Sequence, residues 1–417
     1  MICLVRVLQS NATNDRKADQ ILPDPAVSLV ARRILLLVPS MRLAGGCERV
    51  VNNLSKLLAK NGYVIALASF DQSVDEWHFK GEGRRFALGR SKRLPLALRW
   101  IEYWVQARKL TRIKREFRPD VTISNLWRAD LISQLSGGPD SKIALAHINV
   151  VGNRTNHLMV RMRAPVAMLY RRFDRVVAVS QPLAAELAGL YRLGTGKCIA
   201  IENFTEVSAA VPCLPDDGIR RAVWCGRLVP EKNLSGLLEI WSVLCARLAQ
   251  VQLVVIGDGP LRSEMEAKAR QLGLRLGSDP TDPELQIAFV GTVQSPADYQ
   301  VSGRCFLLSS QAEGLPMVLL EALALGVPVI AADCPPGGVR AALSDTGAQA
   351  TGFGALLPIP LPGDDVSQKA WLPWLITAMT DDAQLLLWRK AALVRSERFS
   401  SARAATAWQV AIEDVLR

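Results

Sequence analysis

The chain has 417 residues, 49% of them hydrophobic and 21% charged, with a net charge of +11. That balance excludes a disordered or fibrous protein, and the length exceeds what one ordinary core fills, so two or three domains are expected. The charge is uneven: residues 1–200 carry 32 Lys and Arg against 15 Asp and Glu, whereas the remainder carries 18 against 24. Such a basic first half implies an anionic partner.

Residues 1–30 start apolar but turn polar at Asn11–Lys17, without the long apolar core or cleavage site of a secretory signal. They read as a poorly ordered extension. The first strand is Ile34–Val38, followed by Pro39-Ser40, Gly45-Gly46 and a helical spacing through Val50, Val51, Leu54, Leu57 and Leu58. With the apolar run Tyr63–Phe70 this makes a βαβ unit, which requires a parallel sheet. A basic amphipathic helix is predicted over 96–118. Strands follow at Val121–Ser124, Ile143–Ile148 and Arg175–Ser180, with a helix over Gln181–Leu190, and Lys197–Asn203 ends the half. Residues 209–218 form a linker rich in Ala, Pro and Asp.

A second α/β series starts at Arg221–Cys225 and a helix from about Leu234. It continues with strand Val251–Gly257, helix Leu261–Leu272, strands Ile287–Val290 and Arg304–Leu308, helix Pro316–Leu325 and strand Val327–Ala332. The expected architecture is α/β: two doubly wound, Rossmann-like domains over 31–208 and 219–398, facing a central cleft. In such folds ligands lie at the carboxyl ends of the strands. Residues 399–417 read as a last helix.

The eight cysteines are scattered without a Cys-x-x-Cys pair, which signals neither a zinc site nor a redox pair and fits a reducing compartment. No apolar run is long enough for a bilayer-spanning helix.

The richest segment runs Ser309-Ser310-Gln311-Ala312-Glu313-Gly314-Leu315-Pro316-Met317, then Val318-Leu319-Leu320-Glu321. A helix starting at Pro316 presents free N–H groups suited to a diphosphate. Glu313 stands before that start and Glu321 about two turns in. A carboxylate beside phosphate needs hydroxyls to accept from, and a sugar supplies them. Upstream, Gly226-Arg227-Leu228-Val229-Pro230-Glu231-Lys232-Asn233 follows a strand, so Arg227 and Lys232 converge across a turn on one anion. Gly45-Gly46-Cys47-Glu48-Arg49-Val50 sits between strand and helix, where glycines let backbone approach a ligand. It is not the Gly-x-Gly-x-x-Gly fingerprint of a dinucleotide site. His147 sits at a strand end, on the edge that Ile123-Ser124-Asn125 also reaches. His78 and His157 read as surface residues.

Together, Glu-Gly-Leu-Pro, Leu-Leu-Glu-Ala, Gly-Val-Pro-Val-Ile and Gly-Arg-Leu-x-x-Glu-Lys-Asn resemble retaining glycosyltransferase family 4, the group 1 enzymes of B-type fold. The resemblance implies a nucleotide-sugar donor, UDP-sugar favoured, with Glu313 on its sugar and Glu321 on its ribose. It implies backbone contacts from Gly314, Leu315 and Met317, diphosphate contacts from Gly226, Arg227 and Lys232, and a base-side loop at Val293. Gly45 and Gly46 would lie over the donor phosphates. His147 would touch donor sugar or acceptor, and Asn149 and Arg154 are weaker acceptor contacts. The catalytic set so implied is Glu313, Arg227, Lys232 and His147. The expected mechanism has no protein nucleophile: the acceptor hydroxyl attacks on the leaving-group face, with the departing phosphate as base. The resemblance also implies that the last helix returns to the first domain.

No Asp-x-Asp triplet occurs, so no metal and no cofactor are expected. The expected acceptor is lipid-linked or a lipopolysaccharide or exopolysaccharide glycan. The basic run Arg108-Lys109, Arg112, Lys114-Arg115 and Arg118, with Arg161, Arg163 and Arg171-Arg172, suits an anionic membrane surface at the cytoplasmic face. The rival readings are a nucleotide-sugar epimerase and a nucleic-acid-binding protein; the basic half lacks the aromatic interleaving of single-strand binders, and nucleic acid is not expected. One departure from the family pattern is Arg340, where glutamate is common.

Overall fold

The computed structural model describes residues 31–42, 45–78, 81–89, 99–148, 163–207, 212–344 and 352–417. The first half holds strands β1 (Arg33–Val38), β2 (Val64–Ser69), β3 (Arg84–Ala87), β4 (Val121–Asn125), β5 (Ser141–Ala146), β6 (Arg175–Ala178) and β7 (Cys198–Ala200). Its helices are α1 (Gly46–Lys60), α2 (Arg99–Phe117), α3 (Trp127–Leu135), α4 (Arg163–Arg171) and α5 (Gln181–Tyr191). The seven strands are all parallel, in the order β3-β2-β1-β4-β5-β6-β7. Both central strands are buried on two faces: in β1 a continuous apolar run, Ile34–Val38, is buried throughout, and β4 is buried with its polar Thr122, Ser124 and Asn125 included. On α1, Val50, Val51, Leu54, Leu57 and Leu58 fall on one face and are buried.

The second half repeats the plan with β8 (Arg220–Cys225), β9 (Val251–Ile256), β10 (Leu276–Gly277), β11 (Ile287–Gly291), β12 (Cys305–Leu308), β13 (Val329–Ala332) and β14 (Gly354–Leu357). Their order is β10-β11-β9-β8-β12-β13-β14, again all parallel. The helices are α6 (Leu234–Arg247), α7 (Arg262–Gln271), α8 (Pro296–Ser302), α9 (Met317–Ala324), α10 (Gly338–Leu343), α11 (Asp365–Thr380), α12 (Asp382–Ser396) and α13 (Ser401–Leu416). Buried Trp224, Trp241 and Trp371 anchor this core. The architecture is thus two parallel-sheet α/β halves, as the alternation of apolar runs and amphipathic segments predicts.

In each sheet the winding reverses between two neighbours, β1 and β4 in one and β8 and β12 in the other. Connections leave such a pair to opposite sides and open a crevice at the strands' carboxyl ends. The motifs singled out above follow those strands. The last helix, α13, packs against α1 and β5: Trp408, Ala411 and Ile412 are buried with first-half residues, and Ser141 Oγ donates to the Val415 carbonyl at 2.7 Å. Among the described residues no helix is long and apolar enough to cross a membrane.

Candidate donor site

After β8 the chain makes the turn that carries Arg227 and Lys232. Its shape is over-determined. Asn233 adopts a left-handed conformation (φ 49°) and caps α6 by accepting from Gly236 N, while its Nδ2 donates to the carbonyls of Ser309 and Pro360. Trp224 Nε1 donates to Ser309 Oγ at 3.1 Å, and that hydroxyl donates to the Lys232 carbonyl at 2.9 Å. The Gly257-Asp258-Gly259 turn closes on the same segment, for a Cβ on Gly257 would come within 2.0 Å of the Gly226 carbonyl.

From this frame the Lys232 ammonium pairs with Glu313, which also accepts from Ser310 Oγ at 2.7 Å. The loop bearing Glu313 is tied back by its own N–H to the Pro335 carbonyl at 3.0 Å. Arg227 is exposed, and its carbonyl accepts from Val229 N at 2.9 Å while its guanidinium hydrogen-bonds to none of the described residues. Its charge acts on Glu48 of the first half, whose carboxyl burial raises above the usual carboxylate range and Arg227 lowers. Helix α9 starts at Met317, with Pro316 as its cap, one residue later than its proline suggested, because Pro316 keeps an extended ψ of 131°.

Glu321, on α9, is buried and faces Arg49 of α1 across the cleft: Arg49 Nη1 donates to Oε1 at 2.5 Å and to Oε2 at 2.6 Å. Burial pushes the Glu321 carboxyl up, against the pull of Arg49. The Cys225 thiol lies within reach of Glu321, Arg49 and Lys232; burial and then Glu321 push it up to about 12, while the two cations oppose them. Two ion pairs therefore meet at the cleft, Arg49 with Glu321 and Lys232 with Glu313, and the Arg227 charge is felt at Glu48 beside them.

On the first half, Asp71 fixes the loop after β1 by accepting from Ser40 Oγ, Met41 N and Ser69 Oγ at 2.7–2.8 Å. Gly45 caps α1 in extended conformation and Gly46 opens the helix, exposed at its free end. A Cβ on Gly45 would come within 2.3 Å of a Glu48 oxygen, so that glycine makes room for the carboxylate. His147 stands just past β5 rather than within a strand. Its Nε2 lies 3.0 Å from Asn125 Oδ1, and Asn125 Nδ2 donates to the Leu37 carbonyl at 3.2 Å. That orientation makes Nε2 the protonated nitrogen and leaves Nδ1 as an acceptor. Burial pushes the imidazole pKa down to about 4, so the ring is neutral near pH 7.

The halves touch where Gly314 passes beneath the His147 carbonyl, which a Cβ would approach to 2.0 Å. The structure thus brings Gly226, Arg227, Lys232, Glu313, Gly314, Glu321, Gly45, Gly46 and His147 to one cleft. Leu315 and Met317 are buried beside it, the Leu315 carbonyl accepting from Asn203 Nδ2 at 2.9 Å. Val293 is half-buried on the loop after β11, at the far side of the second sheet. Asn149 and Arg154 lie outside the described residues. Arg340 pairs with Asp333, tying the start of α10 to the end of β13. Arg49, Asn125 and Asp71 are the site residues that sequence reasoning missed. Only the neighbouring Gly-Gly pair marked Arg49.

One surface expectation is corrected. Lys114 is not part of the basic face, because it is buried and pairs with Asp140 at 2.7 Å. Desolvation pushes its pKa down to about 8 against the pull of Asp140.

Known proteins share this organisation. The pattern described as "Glycosyltransferase Family 4" matches residues 44–208, and that of "Glycosyl transferases group 1" matches 219–358, so the two span most of the chain. The amylovoran biosynthesis glycosyltransferase AmsD of Erwinia amylovora is 25% identical over 320 residues, 73% of this chain and 82% of its own. The lipopolysaccharide core biosynthesis glycosyltransferase LpsD of Rhizobium meliloti is 25% identical over 307 residues, 69% of this chain and 75% of its own. In fold, the chain is similar to HepE of Anabaena, solved in complex with UDP-glucose, with a TM-score of 0.69 at 16% identity over 91% of this chain and 99% of that one. With both family patterns falling on the two halves whose cleft has just been described, the chain belongs to the group 1, family 4 glycosyltransferases of B-type fold.

Proposed function

We propose that this glycosyltransferase moves a hexose-type sugar from a nucleotide diphosphate sugar, a UDP-sugar in the first instance, to a glycan or glycolipid acceptor of polysaccharide or lipopolysaccharide assembly. The observation that carries the reading is the Lys232–Glu313 ion pair at the switch-point crevice, with Arg227 on the same turn as Lys232. The cations suit a diphosphate whose charge grows as its bond to the sugar breaks, and the carboxylates suit hydroxyls. The names of AmsD and LpsD and the UDP-glucose bound by HepE point the same way.

In this reading the acceptor hydroxyl attacks from the face the diphosphate leaves, with retention, and its proton passes to the departing phosphate. Glu313 serves as a sugar contact, since Lys232 and Ser310 already hold its Oε1. Neutral His147 offers Nδ1 to a hydroxyl. No metal is required, since Arg227, Lys232 and the start of α9 can neutralise the diphosphate.

The acceptor side faces a membrane in this proposal. On α2 the exposed Trp100, Trp104, Arg108, Arg112 and Arg115 recur at helical spacing, and the Arg108 guanidinium lies 3.6 Å over the Trp104 ring. Aromatic and cationic residues on one face suit an anionic interface, which for this chain would be the cytoplasmic one. Nucleotide release from a panel of UDP-, GDP- and ADP-sugars with a glycolipid acceptor tests the transferase reading, and the anomeric configuration of the product tests retention. If no nucleotide sugar is turned over or bound, the proposal falls.

A further inference from the structure

Glu321 and Arg49 are 272 positions apart in sequence, lie on helices of different halves, and are each other's partners at 2.5 and 2.6 Å. Glu321 is 3% exposed, and such a carboxylate cannot lose its cation without a replacement. Arg49 is likewise mostly covered and needs a substitute anion if it leaves. The cations of the site are close by: Lys232 pairs with Glu313 in the same cleft, and the Cys225 thiol is within electrostatic range of both Arg49 and Lys232. A ligand that brought only an anion would draw Arg49 away and orphan Glu321. One that brought only hydroxyls would crowd Glu321 with Arg49 still in place. A nucleoside diphosphate brings both, a ribose diol and an adjacent diphosphate.

We infer that Arg49 is a third diphosphate ligand, supplied by the first half and held by Glu321 until a ligand offering hydroxyls and diphosphate together separates the pair. Arg49 then moves to the phosphate oxygens while Glu321 accepts from the ribose. This rests on the nucleotide diphosphate donor proposed above and makes the ion pair a detector of two groups in one molecule. It also ties the first half to the donor as the donor enters.

The test is calorimetric binding of UDP and of uridine to the full chain, wild type and Arg49→Gln, with thermal melts to confirm folding. The expected result is a UDP affinity about tenfold or more lower in R49Q, the scale of one charge-assisted contact, with uridine affinity undiminished. Arg49→Lys should recover part of the UDP affinity. If R49Q fails to fold because Glu321 is left unpaired, the R49Q/E321Q double variant compared with E321Q reads the same UDP-to-uridine ratio. An equal loss for both ligands would make Arg49 a mere support for Glu321 and overturn the inference, as would no loss at all. A wild type that binds none of UDP, GDP and ADP would instead overturn the donor reading on which it stands.

Discussion

The carbonyl of His147 lies directly against Gly314, so the two halves meet backbone to side-chain-free backbone at the point where the candidate sugar site begins. Gly338 presses from the other side, where a Cβ would come within 1.5 Å of the Gly314 carbonyl. Gly314 is therefore held between two backbones, and the cleft closes only because position 314 has no side chain.

Gly314→Ala should hold the halves apart. Misplacement of reacting groups by about 1 Å typically costs about 100-fold in rate, so kcat/KM should fall by at least that factor. Small-angle scattering should show a larger radius of gyration. Unchanged scattering with full activity would mean that the contact is not needed for closure.

Lys232 and Glu313 share one contact, so their variants should not add. Lys232→Ala should lower kcat by about 100-fold or more, the scale for removing one preorganised charge contact. Glu313→Gln keeps a partner for Ser310 and should lower kcat while leaving UDP affinity within about threefold. The double variant should be scarcely worse than K232A, as steady-state kinetics would show.

Much of this was legible in the sequence. Lys232 and Glu313 each sit after a buried apolar strand, and the two strands, β8 and β12, are neighbours, so their turns had to converge. Central strands such as β1 and β9 announced themselves as apolar runs. Edge strands did not: β3 reads Arg-Arg-Phe-Ala and keeps both arginines exposed, and β10 is two residues long. Helix α3, which carries Asp130, has a weak apolar stripe and went unread. Lys114 looked like a surface charge because its partner Asp140 lies beyond a strand and a helix. Arg49 was hidden for a similar reason, since only the closed cleft brings Glu321 to it.

Asp130 gives a pH prediction. It is fully buried, accepts from Ser124 Oγ at 2.6 Å and Tyr170 Oη at 3.1 Å, and burial pushes its pKa from 3.8 up to about 8. Between those values the folded chain holds a proton that the unfolded chain releases, so its contribution to stability is full below about 3.8 and is lost as pH rises toward 8. His147 acts with the opposite sign: its lowered pKa favours the fold above 6.5, and that contribution is lost as pH falls toward about 4. Asp130→Asn leaves the histidine alone and removes the first effect. The variant should melt several degrees above wild type at pH 8, and the gain should vanish near pH 4. A constant difference across that range would contradict the assignment.

The α2 face predicts lipid dependence. Replacing Trp100 and Trp104 together by Ala should weaken binding to vesicles containing anionic lipid on the order of tenfold. Turnover of a soluble acceptor should be unchanged. Arg108→Glu should do the same and remove the salt sensitivity of binding, measured by vesicle co-sedimentation.

The return of α13 to the first half has a mechanical consequence. The chain passes between the halves twice, once near Thr205 and once near Phe399, and the two passages are side by side: Thr205 N donates to the Phe399 carbonyl at 3.3 Å, and Arg398 pairs with Glu202 at 2.6 Å. Two adjacent tethers act as one hinge pin. A relative movement of the halves would therefore swing about the line through these two passages, and would separate and rejoin Arg49 and Glu321 along one arc.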